Sequence, residues 1–144
     1  MAEKKGSIGI PTGLLPTLLA AEIKAEVLDP NGDPGDIVPK GTDLRVKITW
    51  KLTGVLSTMI AGRFQPQARF NAIGATHNFA VAGAFVPAAP RPAGGEYTAE
   101  VLVAAATFTE PSYEVDAFLF FEDGIGAPGP ITGKVDLESI LFTP

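Results

Sequence analysis

The sequence contains no cysteine and only one histidine, His77. The fold therefore cannot rely on disulfide bonds or thiolate ligands, and a lone histidine cannot build a transition-metal site of the usual kind. No serine lies in a G-x-S-x-G elbow, and no glycine-rich phosphate-binding motif opens a helix. The common anchors for hydrolase and nucleotide chemistry are missing, so we expect no cofactor and no catalytic site, with His77 in a loop.

Long hydrophobic runs are missing as well. The longest apolar stretches fall far short of the ~20 residues that a membrane-spanning helix needs. The leucines of the first twenty residues are interrupted by Pro11, Gly13 and Pro16, so the start does not have the continuous apolar run of a secretory signal. If Met1 is the natural start, we expect a cytoplasmic protein; a removed signal peptide would leave the compartment open.

Charge is sparse and uneven in this chain of 144 residues, of which 46% are hydrophobic and 19% charged. This composition predicts one folded domain with a substantial core. Bases exceed acids by two in residues 1–72, and acids exceed bases by seven in residues 73–144, which gives the net charge of −5. A dispersed acidic surface argues against nucleic acid as a partner. The charges should form cross-strand ion pairs, or complementary faces through which copies of the chain associate.

The stretch Asp43–Thr53 gives the strongest secondary-structure signal. Its apolar residues, from Leu44 to Leu52, fall at every second position, and cations or threonines lie between them. Only a β-strand with one buried and one solvated face needs this period. Similar patterns, separated by Gly- and Pro-rich turns, predict seven strands. They cover residues 21–28, 43–53, 63–73, 78–86, 96–103, 113–121 and 134–142.

These strands predict an all-β fold, a seven-stranded antiparallel Greek-key β-sandwich over residues 21–144. An irregular N-terminal arm over residues 1–20 should precede it. The inward side chains should form the core, namely Val46, Ile48, Trp50, Phe64, Phe70, Tyr97, Val101, Tyr113, Val115, Leu119 and Leu137.

Three parts of the chain resemble immunoglobulin-like and fibronectin type III-like sandwiches. Trp50 lies late in the second predicted strand, and Pro111–Val115 is similar to the tyrosine corner that enters the sixth strand of such domains. Gly95–Val101 has a similar pattern around Tyr97, but Tyr113 suits the corner better because one further strand follows it. The resemblance covers residues 21–142 and implies a domain that binds, connects or assembles. Without cysteine, the disulfide-bearing antibody type is excluded.

The last two predicted strands each carry two large apolar residues on a face that carboxylates mark as solvated. These residues are Phe118, Phe120, Ile140 and Phe142. If the strands pair antiparallel, they form an apolar band on the outer face of one sheet, and an uncovered band would invite aggregation. Either the arm folds over the band, or the band and the arm dock on a neighbouring protein; a small-ligand pocket is the third alternative. The arm would act through Leu14, Leu15, Leu18 and Leu19.

Two alternative functions remain open. The turn after the first strand has the opening spacing of a calcium loop, with candidate ligands Asp29, Asn31, Asp33 and Asp36. Pro34 and Lys40 stand where that loop needs a glycine and a bidentate glutamate, and turn aspartates commonly accept backbone N–H bonds instead. A carbohydrate- or calcium-linked binding sandwich is thus the first alternative.

The second alternative is a small enzyme with a cavity between the sheets. Small side chains expected at inward positions would leave room for it, namely Ala80, Ala82, Ala84 and Ala99. No nucleophile–base pair supports catalysis. The preferred hypothesis is a non-enzymatic protein–protein interaction or assembly module, a subunit of a larger complex whose partner is another protein or a second copy of this chain.

Overall fold

The computed structural model describes residues 3–9, 20–31, 36–54, 62–88, 96–122 and 128–144, with the backbone alone for 128–130. Two predominantly antiparallel sheets form a sandwich, which confirms the predicted all-β fold. The strands are β1 (Lys4–Lys5), β2 (Ser7–Gly9), β3 (Ala20–Leu28), β4 (Ile37–Pro39), β5 (Leu44–Thr53), β6 (Arg63–Ala72), β7 (Asn78–Ala82), β8 (Val86–Pro87), β9 (Glu96–Val103), β10 (Ser112–Glu122) and β11 (Pro128–Thr143). Each of the seven predicted strands is present, and β1, β2, β4 and β8 are short additions. Among the described residues, no helix could cross a membrane.

Sheet A has the strand order β1-β3-β5-β9, with β5 at its centre. The alternation of β5 is as the sequence predicts: its apolar side chains are buried, and its arginine and lysines lie on the outer face. Trp50 lies opposite Ile23 on β3 and opposite Tyr97 on β9, so the register places the largest side chain among apolar neighbours.

Sheet B has the strand order β2-β11-β10-β6-β7. Two short strands extend it: β4 pairs in parallel with the end of β11, and β8 pairs with the start of β6. The long antiparallel pairings of β10 with β6 and with β11 put β10 in the middle of the sheet. The outer face of this sheet carries the surfaces described below.

The core lies between the two sheets, and every residue predicted for it is buried. Its aromatic side chains form two groups at opposite ends of the sandwich. In the first group Trp50 stacks on Tyr97, with ring centroids 5.5 Å apart, and both contact Phe64 at 5.3 Å. In the second group Phe108 packs against Tyr113 at 5.3 Å and against Phe142 at 4.7 Å.

Two of the expected cross-strand ion pairs are present. Arg45 on β5 contacts Glu100 on β9 at 3.2 Å, and Arg63 on β6 contacts Glu122 on β10 at 2.8 Å. The side chains of both pairs are partly exposed, so each pair contributes only a few tenths of a kcal/mol. Their main effect is on strand register and solubility.

The first described residues are more regular than the predicted irregular arm. Residues Lys4–Lys5 pair with β3 in sheet A, and Ser7–Gly9 pair with β11 in sheet B, so the chain crosses from one sheet to the other at Gly6. The backbone N–H of Gly6 donates to the carbonyl of Ile23 at 3.0 Å. A Cβ at this position would collide with the carbonyl oxygen of Lys134 and lie 2.6 Å from Val135 Cγ2. The crossing therefore needs glycine.

The hydroxyl of Tyr113 closes the turn that leads into β10. It accepts hydrogen bonds from the backbone N–H groups of Thr109 (3.0 Å) and Glu110 (3.1 Å), the geometry of a tyrosine corner. The same hydroxyl lies 2.7 Å from His77 Nδ1, which is also 3.2 Å from Thr109 Oγ1. His77 is thus bound into the corner.

Candidate interaction surface

Phe118 and Phe120 lie on the outer face of sheet B, as predicted. The alternation of β10 turns Ala117, Leu119 and Phe121 into the core and leaves both phenylalanines half-buried at the surface. Their rings stack on each other with centroids 6.0 Å apart and planes 3° from parallel. We call this pair of rings the aromatic pair.

Cations flank the aromatic pair. The guanidinium of Arg69 lies over the Phe118 ring, 4.3 Å from its centroid, and the ammonium of Lys134 lies 5.8 Å from the same centroid. Arg69 Nε also donates to Gln67 Oε1 at 3.1 Å, which fixes the guanidinium above the ring. Such cation–π contacts contribute about 0.5–1 kcal/mol each at exposed sites. These contacts favour the observed arrangement of the two phenylalanines in the absence of a partner.

A shallow trough of about 430 Å³ runs beside the aromatic pair towards β2. Its lining combines aromatic carbon with hydroxyl and ammonium groups. The lining residues are Ser7, Gly9, Phe118, Phe120, Thr132, Gly133 and Lys134.

The structure contradicts the placement of Ile140 and Phe142 on the outer face. Ile140 is fully buried and Phe142 is 9% exposed, so both belong to the core. The cause is a β-bulge in β11: Asp116 pairs with Asp136, but Glu114 pairs with Ser139, which leaves Leu137 and Glu138 together opposite Val115. One extra residue reverses which side chains face outward from that point on.

Glu138 carries the backbone distortion of the bulge. Its φ angle of 44° is a left-handed conformation that side-chain-bearing residues rarely adopt. Its carboxylate contacts Lys4 at 3.1 Å, which joins the first strand to the bulge. In the sequence, the adjacent polar residues Glu138 and Ser139, followed by three apolar residues, were the signal that strict alternation fails here.

The bulge exposes a leucine that sequence reasoning missed. Leu141 is 45% exposed on the outer face of sheet B and lies opposite Ile37 of β4, which is 65% exposed. On its other side, Leu141 lies opposite Ser112 of β10. The carbonyl of Ser112 accepts a hydrogen bond from the backbone N–H of Ile73, whose side chain is 46% exposed. We call Ile37, Leu141 and Ile73 the aliphatic row.

Carboxylates separate the aromatic pair from the aliphatic row. Asp116 and Asp136 lie directly opposite each other on β10 and β11. Burial, reinforced by Asp136, raises the pKa of Asp116, while a hydrogen bond with Asp116 and the Lys134 ammonium lower the pKa of Asp136. Glu114 adds a third negative charge one row nearer to the aliphatic row. The raised pKa means that the charge of Asp116 opposes folding slightly at neutral pH.

The remaining predicted residues divide into two sets. Leu14, Leu15, Leu18, Leu19 and Asp33 lie outside the described residues. In the candidate calcium turn, Asp29 Oδ1 accepts the N–H of Asn31 at 2.9 Å, as in an ordinary turn. In the described part of the chain, which includes Asp36, no group of three or more acidic or histidine side chains could hold a metal ion.

The expected inward alanines of β7 are also reversed. Ala80 and Ala82 are exposed, whereas Phe79 and Val81 pack against the core. Ala84, after the strand, is exposed as well. The ring of Phe79 packs 5.0 Å from Phe70, so these three positions do not supply the space of the suggested cavity, whereas Ala99 packs against the core as expected.

Comparisons with known proteins add little to this geometry. No protein-family model and no curated protein matches the chain. Among solved structures, the chain is similar to the beta-glucosidase from Listeria innocua in complex with glucose, with a TM-score of 0.48 and 16% identity. The match covers 86% of this chain and 16% of that chain, so this chain spans only a small part of that enzyme's length. A likeness this low carries no argument about function.

Proposed function

We propose that this protein is a non-enzymatic interaction module that associates through the outer face of sheet B, with a second copy of itself as the partner. The aromatic pair is the observation that carries the proposal. Phe118 and Phe120 remain half-buried at the centre of a face whose neighbouring positions are polar or charged. Aromatic side chains concentrate binding energy in protein interfaces, since they bury a large area with few rotatable bonds.

The rigidity of the aromatic pair favours binding. The two rings stack on each other, and Arg69 is fixed above Phe118 by its hydrogen bond to Gln67. A partner therefore meets side chains that already favour one arrangement, which lowers the entropy cost of association.

The charges beside the aromatic pair favour a second copy as the partner. A two-fold interface brings the same patch of both copies together, so the patch must complement itself. Arg69 lies in the same register row as Asp116 and Asp136, and Lys134 lies one row along the strands, where it pairs with Asp136 at 3.3 Å. When the two patches face each other in opposite directions, the cations of one copy can approach the carboxylates of the other.

Sedimentation equilibrium over a range of protein concentrations tests the proposal. Wild-type protein should shift from 15.0 kDa towards twice that mass as the concentration rises. The double variant Phe118→Ser/Phe120→Ser should stay monomeric with an unchanged circular dichroism spectrum. Phe85→Ser is the matched control, because Phe85 is a 37% exposed phenylalanine that also lies under an arginine, Arg63, at 3.6 Å. A wild-type monomer at every concentration, or a dimer that survives the double substitution, would refute self-association through this surface.

A carbohydrate ligand is the second candidate for the same surface. Gln65 lies opposite Phe120, and Gln67 lies opposite Phe118, while Thr132 borders Phe120 on the other side. Amides and hydroxyls both donate and accept hydrogen bonds, as sugar hydroxyls require, and aromatic rings offer an apolar surface to the sugar ring. Calorimetric titration with neutral oligosaccharides would favour this candidate if it gave saturable binding that Phe118→Ser/Phe120→Ser abolishes without any change in native mass.

We also propose that the sandwich is of the immunoglobulin-like or fibronectin type III-like kind. Two features support this. Tyr113 forms the hydrogen bonds of a tyrosine corner at the start of β10, and the sandwich puts β3, β5 and β9 in one sheet and β6, β7, β10 and β11 in the other. Domains of this kind commonly serve as binding and assembly modules, which agrees with the proposed function by analogy.

A further inference from the structure

The aliphatic row is a second exposed apolar surface on sheet B, apart from the aromatic pair. Among the described residues, five large hydrophobic side chains are exposed, and three of them, Ile37, Leu141 and Ile73, fall in this one row. The row lies across the sheet at the level of Ser112. At ~3.3 Å per residue, Ser112 lies about 20 Å along β10 from Phe118, so one partner side chain cannot cover both surfaces.

The charges next to the aliphatic row are mainly negative. Asp36 directly precedes Ile37, and the neighbouring register row contains Glu114, opposite Ser139. Asp116 and Asp136 follow one step further along the strands. The described cations in the vicinity are Lys4, which pairs with Glu138, Lys134, which pairs with Asp136 at 3.3 Å, Arg69, which lies opposite Asp116 and over Phe118, and Lys40, after β4.

The crowded carboxylates favour a positively charged partner. Burial and the neighbouring Asp136 raise the pKa of Asp116, although Lys134 lowers it in part, and Glu114 is exposed one row away. A cation brought to Glu114 and Asp116 would relieve the repulsion, and this gain adds to the burial of the aliphatic side chains. An acidic partner would increase the repulsion.

The edge of the sheet next to the aliphatic row is closed to strand addition. The edge strand β4 has only three residues, and the last is Pro39, which has no backbone N–H to offer to a ladder. A partner must therefore lie across the outer face, where its side chains meet those of the row.

From these observations we propose that the aliphatic row and its flanking carboxylates bind a segment of another protein in which aliphatic side chains alternate with lysine or arginine. The aliphatic side chains pack on Leu141 and Ile37, and the cations contact Glu114 and Asp116. This site shares Asp116 with the proposed self-association surface, but its apolar residues and its partner chemistry differ.

Fluorescence anisotropy with a labelled synthetic peptide of alternating valine and lysine tests the proposal. This peptide should bind at least about tenfold more tightly than a serine–lysine peptide of equal length, because only valine can pack on the row. A valine–glutamate peptide should not bind. Binding of the valine–lysine peptide should weaken as salt increases, because exposed charge pairs are screened.

Two variants and one control assign the binding to this surface. Ile37→Thr/Leu141→Thr should abolish binding of the valine–lysine peptide without unfolding the chain, because both residues are exposed and threonine suits strands. Glu114→Gln/Asp116→Asn should weaken binding and reduce its salt dependence. Phe118→Ser/Phe120→Ser, which removes self-association, should leave peptide binding unchanged, so the two proposals can fail separately.

Four results would overturn the proposal. They are no binding by the valine–lysine peptide, equal binding by the serine–lysine peptide, unchanged binding by Ile37→Thr/Leu141→Thr, and a loss of dimer mass in that variant. The last result would assign the row to the contact between two copies of the chain.

Discussion

Deletion of both Glu138 and Ser139 should unfold or severely destabilise the protein, although both side chains are exposed, Glu138 to 71%. Glu138 is the extra residue of the bulge in β11, and Ser139 is the next residue on the outer face. Without both residues, Ile140 would follow Leu137 directly, so strict alternation would turn Ile140 and Phe142 to the solvent and Leu141 into the core. The double deletion thus tests whether these two surface residues set the faces of the last strand.

The size of the effect follows from burial. Ile140 is fully buried and Phe142 is 9% exposed, and full burial of such side chains contributes roughly 1.5–3 kcal/mol each. Bringing Leu141 inward recovers one of the two contributions at most, and it does not fill the space that the phenylalanine ring leaves. We expect a loss of about 2–5 kcal/mol, a large fraction of the roughly 5–15 kcal/mol that stabilises a typical domain.

Urea denaturation followed by tryptophan fluorescence measures this loss. Trp50 is the only tryptophan and is 1% exposed, so its emission reports on the core. Glu138→Gly is the control, because it keeps the residue count and relieves the positive φ angle while losing only the exposed pair with Lys4. Its stability should stay within about 1 kcal/mol of wild type. A double-deletion variant as stable as Glu138→Gly would refute the role of these residues in setting the faces of β11.

Three further predictions concern stability and use the same denaturation assay. Gly6→Ala should lower the free energy of unfolding by about 1–3 kcal/mol, because its Cβ would collide with the backbone of β11. Gly9→Ala should be tolerated, since the nearest atom is 3.6 Å from its Cβ, and equal effects of the two variants would contradict this reasoning. The folded-state pKa of Asp116 is raised, so its charge destabilises the fold at neutral pH and this penalty disappears as the pH falls below the ordinary value of 3.8. Asp116→Asn should therefore be more stable than wild type by up to about 1 kcal/mol at pH 7, and the difference should vanish in acid; a constant difference would contradict the assignment. Tyr113→Phe should cost about 1–3 kcal/mol because two backbone N–H groups lose their acceptor, and a neutral effect would mean that the corner is dispensable.

Alternation along single strands was enough to predict the sandwich and its core. In β5 and β10 large apolar residues repeat at every second position over the whole strand, so one face is defined without knowledge of the neighbours. The same reasoning placed Phe118 and Phe120 on the outer face, because the inward positions between them were already assigned. In long strands with a clear period, the sequence of the strand alone therefore shows which face points to the core.

The face of β7 follows from its own residues, because Phe79 and Val81 are larger and more hydrophobic than Ala80 and Ala82, so the expectation of inward alanines was wrong. The end of β11 is different, because the position of its bulge depends on the pairing with β10. There Leu137 and Glu138 lie together opposite the single residue Val115. The aliphatic row could not be predicted because its members come from separate parts of the chain that only the sheet brings together.

Nuclear magnetic resonance of the wild-type protein during dilution tests the proposed association most directly, because it locates the contact as well as detecting it. The resonances that shift with concentration should belong to Phe118, Phe120 and their neighbours Gln65, Gln67 and Lys134. Residues on the outer face of sheet A, such as the 68% exposed Leu102, should not shift. Shifts confined to sheet A, or a spectrum that does not change with concentration, would contradict association through the outer face of sheet B.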